Sequence, residues 1–310
     1  MIPRCRCWRK SHLKRLPRFF SVKFQFIKTN GITLHTALAG PEDGELLIFL
    51  HGFPEFWYCW HKQIEFFAER GFRVVVPDQR GYNLSTKPSG ISSYRFGSIA
   101  RDILGLIEAL GRKKAHIVGH DWGGVTTWQL GHRHPNWVEK LAVLNCPHPG
   151  VMRKNLFSSR EQRKKSWYIF YYQLPWLPEW TLSHNGWEYT KKALAYTSQR
   201  GTFTEEVLSR YVEAWSQPGA ITGMVNWYRA GLLLKLFNPL GRRNRAPRKI
   251  EVPTLLLWGV KDRFLGKEMA QLSIDRCANG QLIFLEEASH WLQHEEPGKV
   301  NRLLLDFLRS

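Results

Sequence analysis

An aspartate set between glycines stands in Gly119-His120-Asp121-Trp122-Gly123, where a strand-like run gives way to a helix-like one. Glycines two residues before and two after the central position let strand and helix approach closely. The central residue is then forced into a strained backbone that lifts its side chain clear of the sheet. This is the spacing of a nucleophile elbow, and Asp121 is the residue it displays. Taken alone, such an aspartate would more simply cap the helix that follows. Two later residues change that reading. Asp262, in Leu257-Trp258-Gly259-Val260-Lys261-Asp262, lies just past an apolar run and is placed to accept a proton from a histidine ring. His290, in Ala288-Ser289-His290-Trp291, follows the next strand-like run and precedes the last helix. Nucleophile, acid and histidine in this chain order, each at the carboxyl end of a strand, make a catalytic triad.

A fourth motif, His51-Gly52-Phe53-Pro54, follows the apolar run Leu46 to Leu50. Its backbone N–H at Phe53, together with that of Trp122, is expected to form an oxyanion hole. The stretch Asp78-Gln79-Arg80-Gly81-Tyr82 reads as a loop organiser rather than a chemical group.

Positioning such residues requires a sheet, and the chain supplies one. From about residue 21, strand-like and helix-like segments alternate, which predicts an α/β fold with a mostly parallel central sheet flanked by helices. Asn30-Gly31 between Phe24, Phe26 and Ile32, Leu34 predicts an opening antiparallel hairpin. Strands are expected at Leu46–Leu50, Arg73–Pro77, His116–Gly119, Lys140–Leu144, Pro253–Trp258 and Leu282–Leu285. Helices are expected over Phe96–Leu110, Gly123–His134 and Gly298–Leu308. Between Pro147 and Pro239 the chain turns rich in Trp and Tyr with helical spacing, as in an inserted helical cap. The expected division is a basic tail over 1–20, core over 21–146, cap over 147–239 and core again over 240–310.

With these motifs the chain resembles the epoxide hydrolases of the α/β-hydrolase superfamily from about residue 22 onward. The resemblance rests on His51-Gly52-Phe53-Pro54, Gly119-His120-Asp121-Trp122-Gly123-Gly124, Asp262 and Ala288-Ser289-His290-Trp291. It implies an α/β-hydrolase fold and two cap tyrosines that hold the epoxide oxygen. Tyr168, in Tyr168-Ile169-Phe170-Tyr171-Tyr172-Gln173-Leu174-Pro175, matches the first by its distance from the Gln and Pro, with Tyr171 and Tyr172 as neighbouring competitors. Tyr228, in Asn226-Trp227-Tyr228-Arg229, matches the second. The nucleophile's identity agrees with an alkyl substrate. A serine would open an epoxide to an ether that water does not readily cleave, whereas an aspartate leaves an ester that activated water hydrolyses. No metal or organic cofactor is called for. Phe53, Trp122 and Trp227 are expected to line an apolar pocket for a small epoxide. Haloalkane dehalogenases share the Asp121-Trp122 pattern and the ester chemistry, but Phe53 stands where many of them place a halide-binding asparagine, and the two tyrosines would be left without a role. A non-catalytic lipid-binding protein would have no use for the complete set of five residues.

Composition bounds the rest. With 43% hydrophobic residues in 310, a packed core is expected, and no apolar run approaches the length of a membrane span. Five cysteines, an odd number and widely spaced apart from Cys5 and Cys7, suggest neither a disulfide framework nor a zinc site, which fits a reducing, cytoplasmic setting. The net charge of +19 is concentrated at the start of the chain, where Arg4, Arg6, Arg9, Lys10, Lys14, Arg15 and Arg18 interleave with Trp8, Leu13, Leu16, Phe19 and Phe20. Peripheral contact of this tail with an anionic membrane is therefore expected, and no nucleic-acid partner. A second cluster, Arg242, Arg243, Arg245, Arg248 and Lys249, reads as a solvated surface.

Overall fold

A computed structural model describes residues 22–236 and 249–310. The basic tail, the expected cap terminus at Pro239 and the cluster from Arg242 to Arg248 lie outside the described residues. In chain order the core opens with β1 (Lys23–Thr29), β2 (Ile32–Ala39), β3 (Leu46–Leu50), α1 (His61–Ala68), β4 (Arg73–Pro77), α2 (Phe96–Ala109), β5 (Ala115–His120), α3 (Trp122–Arg133) and β6 (Val138–Leu144). Helices follow among the described residues: α4 (Pro149–Ser158), α5 (Arg160–Lys165), α6 (Trp167–Tyr171), α7 (Leu177–Thr197, kinked by non-helical backbone from His184 to Trp187), α8 (Glu205–Trp215) and α9 (Ala220–Leu236). The core then resumes with β7 (Thr254–Gly259), α10 (Glu268–Ile274), β8 (Gly280–Leu285), α11 (Leu292–Glu295) and α12 (Pro297–Arg309).

The described strands form one sheet in the order β1-β2-β4-β3-β5-β6-β7-β8. β1 and β2 pair antiparallel, as do β2 and β4, and every later pair is parallel. The opening hairpin turns at Asn30 and Gly31, with φ of 40° and 76°. Positive φ at both central residues is what a two-residue hairpin loop demands. The buried strands read as continuous apolar runs because both faces are covered. Leu46, Ile48 and Leu50 of β3 pack on one side with Ile103, Leu106 and Trp128, while Leu47 and Phe49 pack on the other with Phe67, Val300 and Leu304. The period of two along each strand thus divides the core into two layers.

The helices from α4 to α9 gather a third apolar cluster around Tyr172, Trp215, Trp227 and Tyr228, which also takes in Phe56, Tyr82, Ile99 and Trp291 from the core. Specific donors tie this insertion down. The Trp215 indole N–H donates to the Pro54 carbonyl at 2.5 Å, and that of Trp227 to the Arg80 carbonyl at 3.0 Å. A side chain at Gly223 of α9 would strike the backbone of Gly81, so the two glycines permit direct backbone packing. The loop Asp78–Tyr82 is thus the seat of α9. Among the described residues no helix is long and apolar enough to cross a membrane.

Candidate active site

Asp121 sits between the end of β5 and the start of α3 with φ 49° and ψ −119°, a conformation that bulky residues seldom hold. Close packing on all sides imposes it. A Cβ on Gly119 would overlap Thr127 and Gly123, one on Gly123 would overlap Leu50 and His51, and one on Gly52 would overlap Asp121 itself. The raised carboxylate accepts the Phe53 N–H through Oδ1 at 2.8 Å. Its Oδ2 lies 3.7 Å from Nε2 of His290. Trp122 opens α3, so its N–H is one of the donors that a helix leaves without an internal partner.

His290 Nδ1 and Asp262 Oδ2 are 2.7 Å apart. Asp262 is buried and fully engaged, since Oδ1 accepts the N–H groups of Phe264 and Leu265 at 2.7 and 3.0 Å and Oδ2 accepts Asn145 Nδ2 at 2.6 Å. Asn145 in turn accepts the Gly259 N–H at 2.6 Å, which pins the end of β7 to the end of β6. Burial by itself would raise the Asp262 carboxyl, but the charge and hydrogen bond of His290, with those amide donors, hold it below the usual range. Burial would likewise lower the His290 imidazole. The Asp262 carboxylate, by charge and hydrogen bond, and then the Asp121 charge outweigh that effect and lift it to about 9. His290 is thereby favoured in its protonated form in the free protein.

A cavity of about 300 Å³ opens above Asp121. Phe53, Tyr168, Tyr172, Tyr228, Phe264 and His290 are among the residues that line it. The Tyr168 and Tyr228 rings meet edge to face at 5.9 Å. Burial first and the Asp121 charge second push both phenols well above their ordinary value, so both remain O–H donors. The two competitors for the first tyrosine separate here. Tyr171 is not among the lining residues, and its hydroxyl is held by Thr181 at 2.5 Å. Tyr172 lines the cavity, but after burial its phenol is governed by Tyr189 and Tyr171 ahead of Asp121.

Of the three expected pocket residues, two stand off the cavity wall. Trp227 does not line the cavity, because it is fully buried with its indole turned to Arg80. Trp122 stands behind Tyr228, with ring centroids 4.9 Å apart, and supports that wall rather than forming it. Phe53 alone of the three faces the cavity.

A buried polar network went unnoticed in the sequence. Glu55 accepts from His120 at 2.9 Å, His294 at 2.7 Å, and Tyr211 and Gln293 at 3.2 Å each. His120 reaches the backbone carbonyl of His290 at 2.9 Å through its other nitrogen, so the network holds the loop that carries the triad histidine. Burial would raise the Glu55 carboxyl, but the hydrogen bonds of His120 and His294 hold it well below the carboxylate range. Glu55→Gln is expected to lower stability by about 3 kcal/mol, since it removes the charge that pairs with two buried imidazoles. An unchanged denaturant midpoint would count against this role. Among the described residues no cluster of His, Cys, Asp and Glu is placed to hold a metal ion.

Comparison with known proteins agrees with this geometry. The family described as alpha/beta hydrolase fold matches residues 45–297. The chain belongs to the α/β-hydrolase fold family. Within that family it is 49% identical to the AB hydrolase superfamily protein YfhM of Bacillus subtilis, over 93% of this chain and 99% of that one. It is 37% identical to epoxide hydrolase 4 of Homo sapiens, over 92% of this chain and 78% of the human protein. The crystal structure of Bacillus megaterium epoxide hydrolase in complex with an inhibitor superposes with a TM-score of 0.84 at 32% identity, covering 92% of this chain and all of that one.

Proposed function

We propose that this α/β-hydrolase converts apolar epoxides to vicinal diols through an ester on Asp121. The observation that carries the reading is an aspartate at the elbow that shares one cavity with two protonated tyrosines. Its epoxide-hydrolase relatives support the same reaction class. Asp121 attacks a ring carbon while Tyr168 and Tyr228 donate hydrogen bonds to the oxygen as alkoxide character develops. The C–O bond breaks, the oxygen is protonated, and the proton that His290 held in the free protein balances the change. Asp121 is now a neutral ester, so one of the charges holding the His290 proton is gone. Neutral His290, oriented by Asp262, takes a proton from water. The hydroxide so formed attacks the ester carbonyl, whose oxygen is stabilised by the N–H groups of Phe53 and Trp122. The 3.7 Å between His290 Nε2 and Asp121 is beyond direct hydrogen bonding, so Nε2 is left to meet the attacking water. The diol departs, Asp121 is again a carboxylate, and His290 again holds a proton. The helices from α4 to α9 act as the cap that closes over this chemistry.

A haloalkane dehalogenase is the second reading, favoured by one observation. The buried indole N–H of Trp122 has no hydrogen-bond partner among the described residues, as a halide-binding donor would, although its ring stands behind Tyr228 and off the cavity wall. The tyrosine pair and Phe53 favour the epoxide. Turnover of terminal, aryl and fatty epoxides beside haloalkanes, with diol and halide measured on one preparation, decides between them. Diol without halide is expected, and halide without diol would overturn the assignment.

The charge balance also sets a pH dependence. Ester hydrolysis needs neutral His290, and loss of the Asp121 charge lowers the imidazole from its free-protein value of about 9. Single-turnover hydrolysis of the alkylated protein should therefore rise with pH through an apparent pKa below about 9. A rate that is flat or falls over that range would remove His290 as the base.

A further inference from the structure

The outer face of the insertion carries large apolar side chains that the fold leaves largely exposed. Trp176 is 70% exposed, Trp167 54%, Trp180 53%, Leu174 44% and Phe170 38%. They lie on α6, the turn after it and the start of α7. The Trp167 ring packs on Tyr171 at 5.8 Å, and the Tyr171 hydroxyl is held by Thr181 and the Leu177 carbonyl, which follow Trp180 and Trp176 in the chain. Trp176 is unusual twice over, since it also holds a positive φ of 50°. Nothing in the fold repays a bulky residue in a strained conformation with its ring in water.

Cations border this surface on the side of the cavity. On α5 the buried Gln162 fixes the inner face by bonding Ser166, Phe264 and Gly266, which leaves Arg160, Arg163 and Lys164 exposed. Lys164, Lys165 and Arg263 share the cavity's rim with the exposed Trp167, and Arg263 lies over the ring of Tyr196 at 4.3 Å. Within α5, only Glu161 opposes four cations. Tryptophan rings favour the headgroup level of a bilayer, where the ring is dry and the indole N–H wet, and flanking cations add attraction to anionic lipid. A second copy of the chain would set like cations against like.

We infer that this face docks on an anionic lipid bilayer, with the mouth of the cavity turned to the membrane. An apolar substrate dissolved in the bilayer then enters without crossing water. Docking is separate from the chemistry at Asp121 and goes beyond it. It also places membrane contact on the insertion, in addition to any contact the basic tail makes.

The test is co-sedimentation of the full chain with vesicles of phosphatidylcholine and phosphatidylglycerol, and with phosphatidylcholine alone. Binding to the mixed vesicles is expected, with a blue shift in tryptophan fluorescence. Trp176→Ser with Trp180→Ser should weaken it at least about tenfold, and Arg160→Glu with Arg163→Glu should weaken it and reduce its salt dependence. All four residues lie outside the cavity, so thermal unfolding should match that of the unaltered chain. The proposal is overturned if both double variants bind as tightly as the unaltered chain, which would assign the binding to the tail. It is equally overturned if the unaltered chain ignores mixed vesicles, or if the tryptophan pair proves instead to hold two copies together in light scattering.

Discussion

His290→Gln is expected to trap one substrate on the protein: intact mass should rise by the mass of a single epoxide and stay raised. Attack by Asp121 needs an ionised carboxylate and the two tyrosine donors, which the substitution keeps, and the proton that His290 would have contributed to the opened oxygen comes instead from solvent. Hydrolysis of the ester needs a base at Nε2, and glutamine offers none. Loss of a general base slows such a step by about 10²- to 10⁴-fold, so release of diol should fall by that factor while alkylation continues. His120 holds this loop through the backbone carbonyl of residue 290, which the substitution leaves in place, so the loop should keep its position. Absence of any adduct at a concentration that saturates the unaltered protein would end the two-step assignment. Asp121→Ala should show neither adduct nor diol, which separates a trapped ester from nonspecific alkylation elsewhere.

Tyr168→Phe combined with Tyr228→Phe should nearly abolish ring opening. An epoxide oxygen leaves as an alkoxide far more basic than a halide, so its departure depends on donors that meet the developing charge. Both phenols keep their protons because burial and the Asp121 carboxylate push them well above their ordinary value. Each single change keeps the ring, and with it the edge-to-face packing between Tyr168, Tyr172 and Tyr228. Each is expected to cost about 10- to 1,000-fold in the alkylation rate, measured by rapid quench. Hydrolysis of an ester already formed should change much less, since it relies on His290 and the Phe53 and Trp122 amides. Unaltered diol formation by the double variant would remove the tyrosines from the mechanism and return attention to Tyr172, the third phenol on the cavity wall.

Much of this arrangement is local and therefore legible in the residues themselves. Glycines at 119 and 123 answer to steric limits over a few residues of chain, so the elbow at Asp121 can be read without knowing what surrounds it. The expected strands carry Asp121, Asp262 and His290 at their carboxyl ends, and parallel strands place those ends along one edge of the sheet. That is why three residues spread over more than half the chain could be expected to meet. Asn30-Gly31 is legible for the same reason, since two positive φ angles are a demand of the turn alone.

The tertiary structure decided what depends on how whole elements are rotated and seated. Trp227 and Tyr228 are neighbours on α9, and successive helical residues point roughly 100° apart, so only one could face the cavity. The seat of α9 on Gly81, and the Trp227 bond to Arg80, turn Tyr228 inward and Trp227 away. Trp122 and Trp227 were expected in the pocket because aromatic type alone does not record direction. The network of Glu55, His120 and His294 was invisible for a different reason. Its members come from the loop after β3, the end of β5 and helix α11, and each singly resembles an ordinary loop or helix residue. Only the closing of the sheet and helices brings one carboxylate and two imidazoles into a common dry space, where each is tolerated because the others are there.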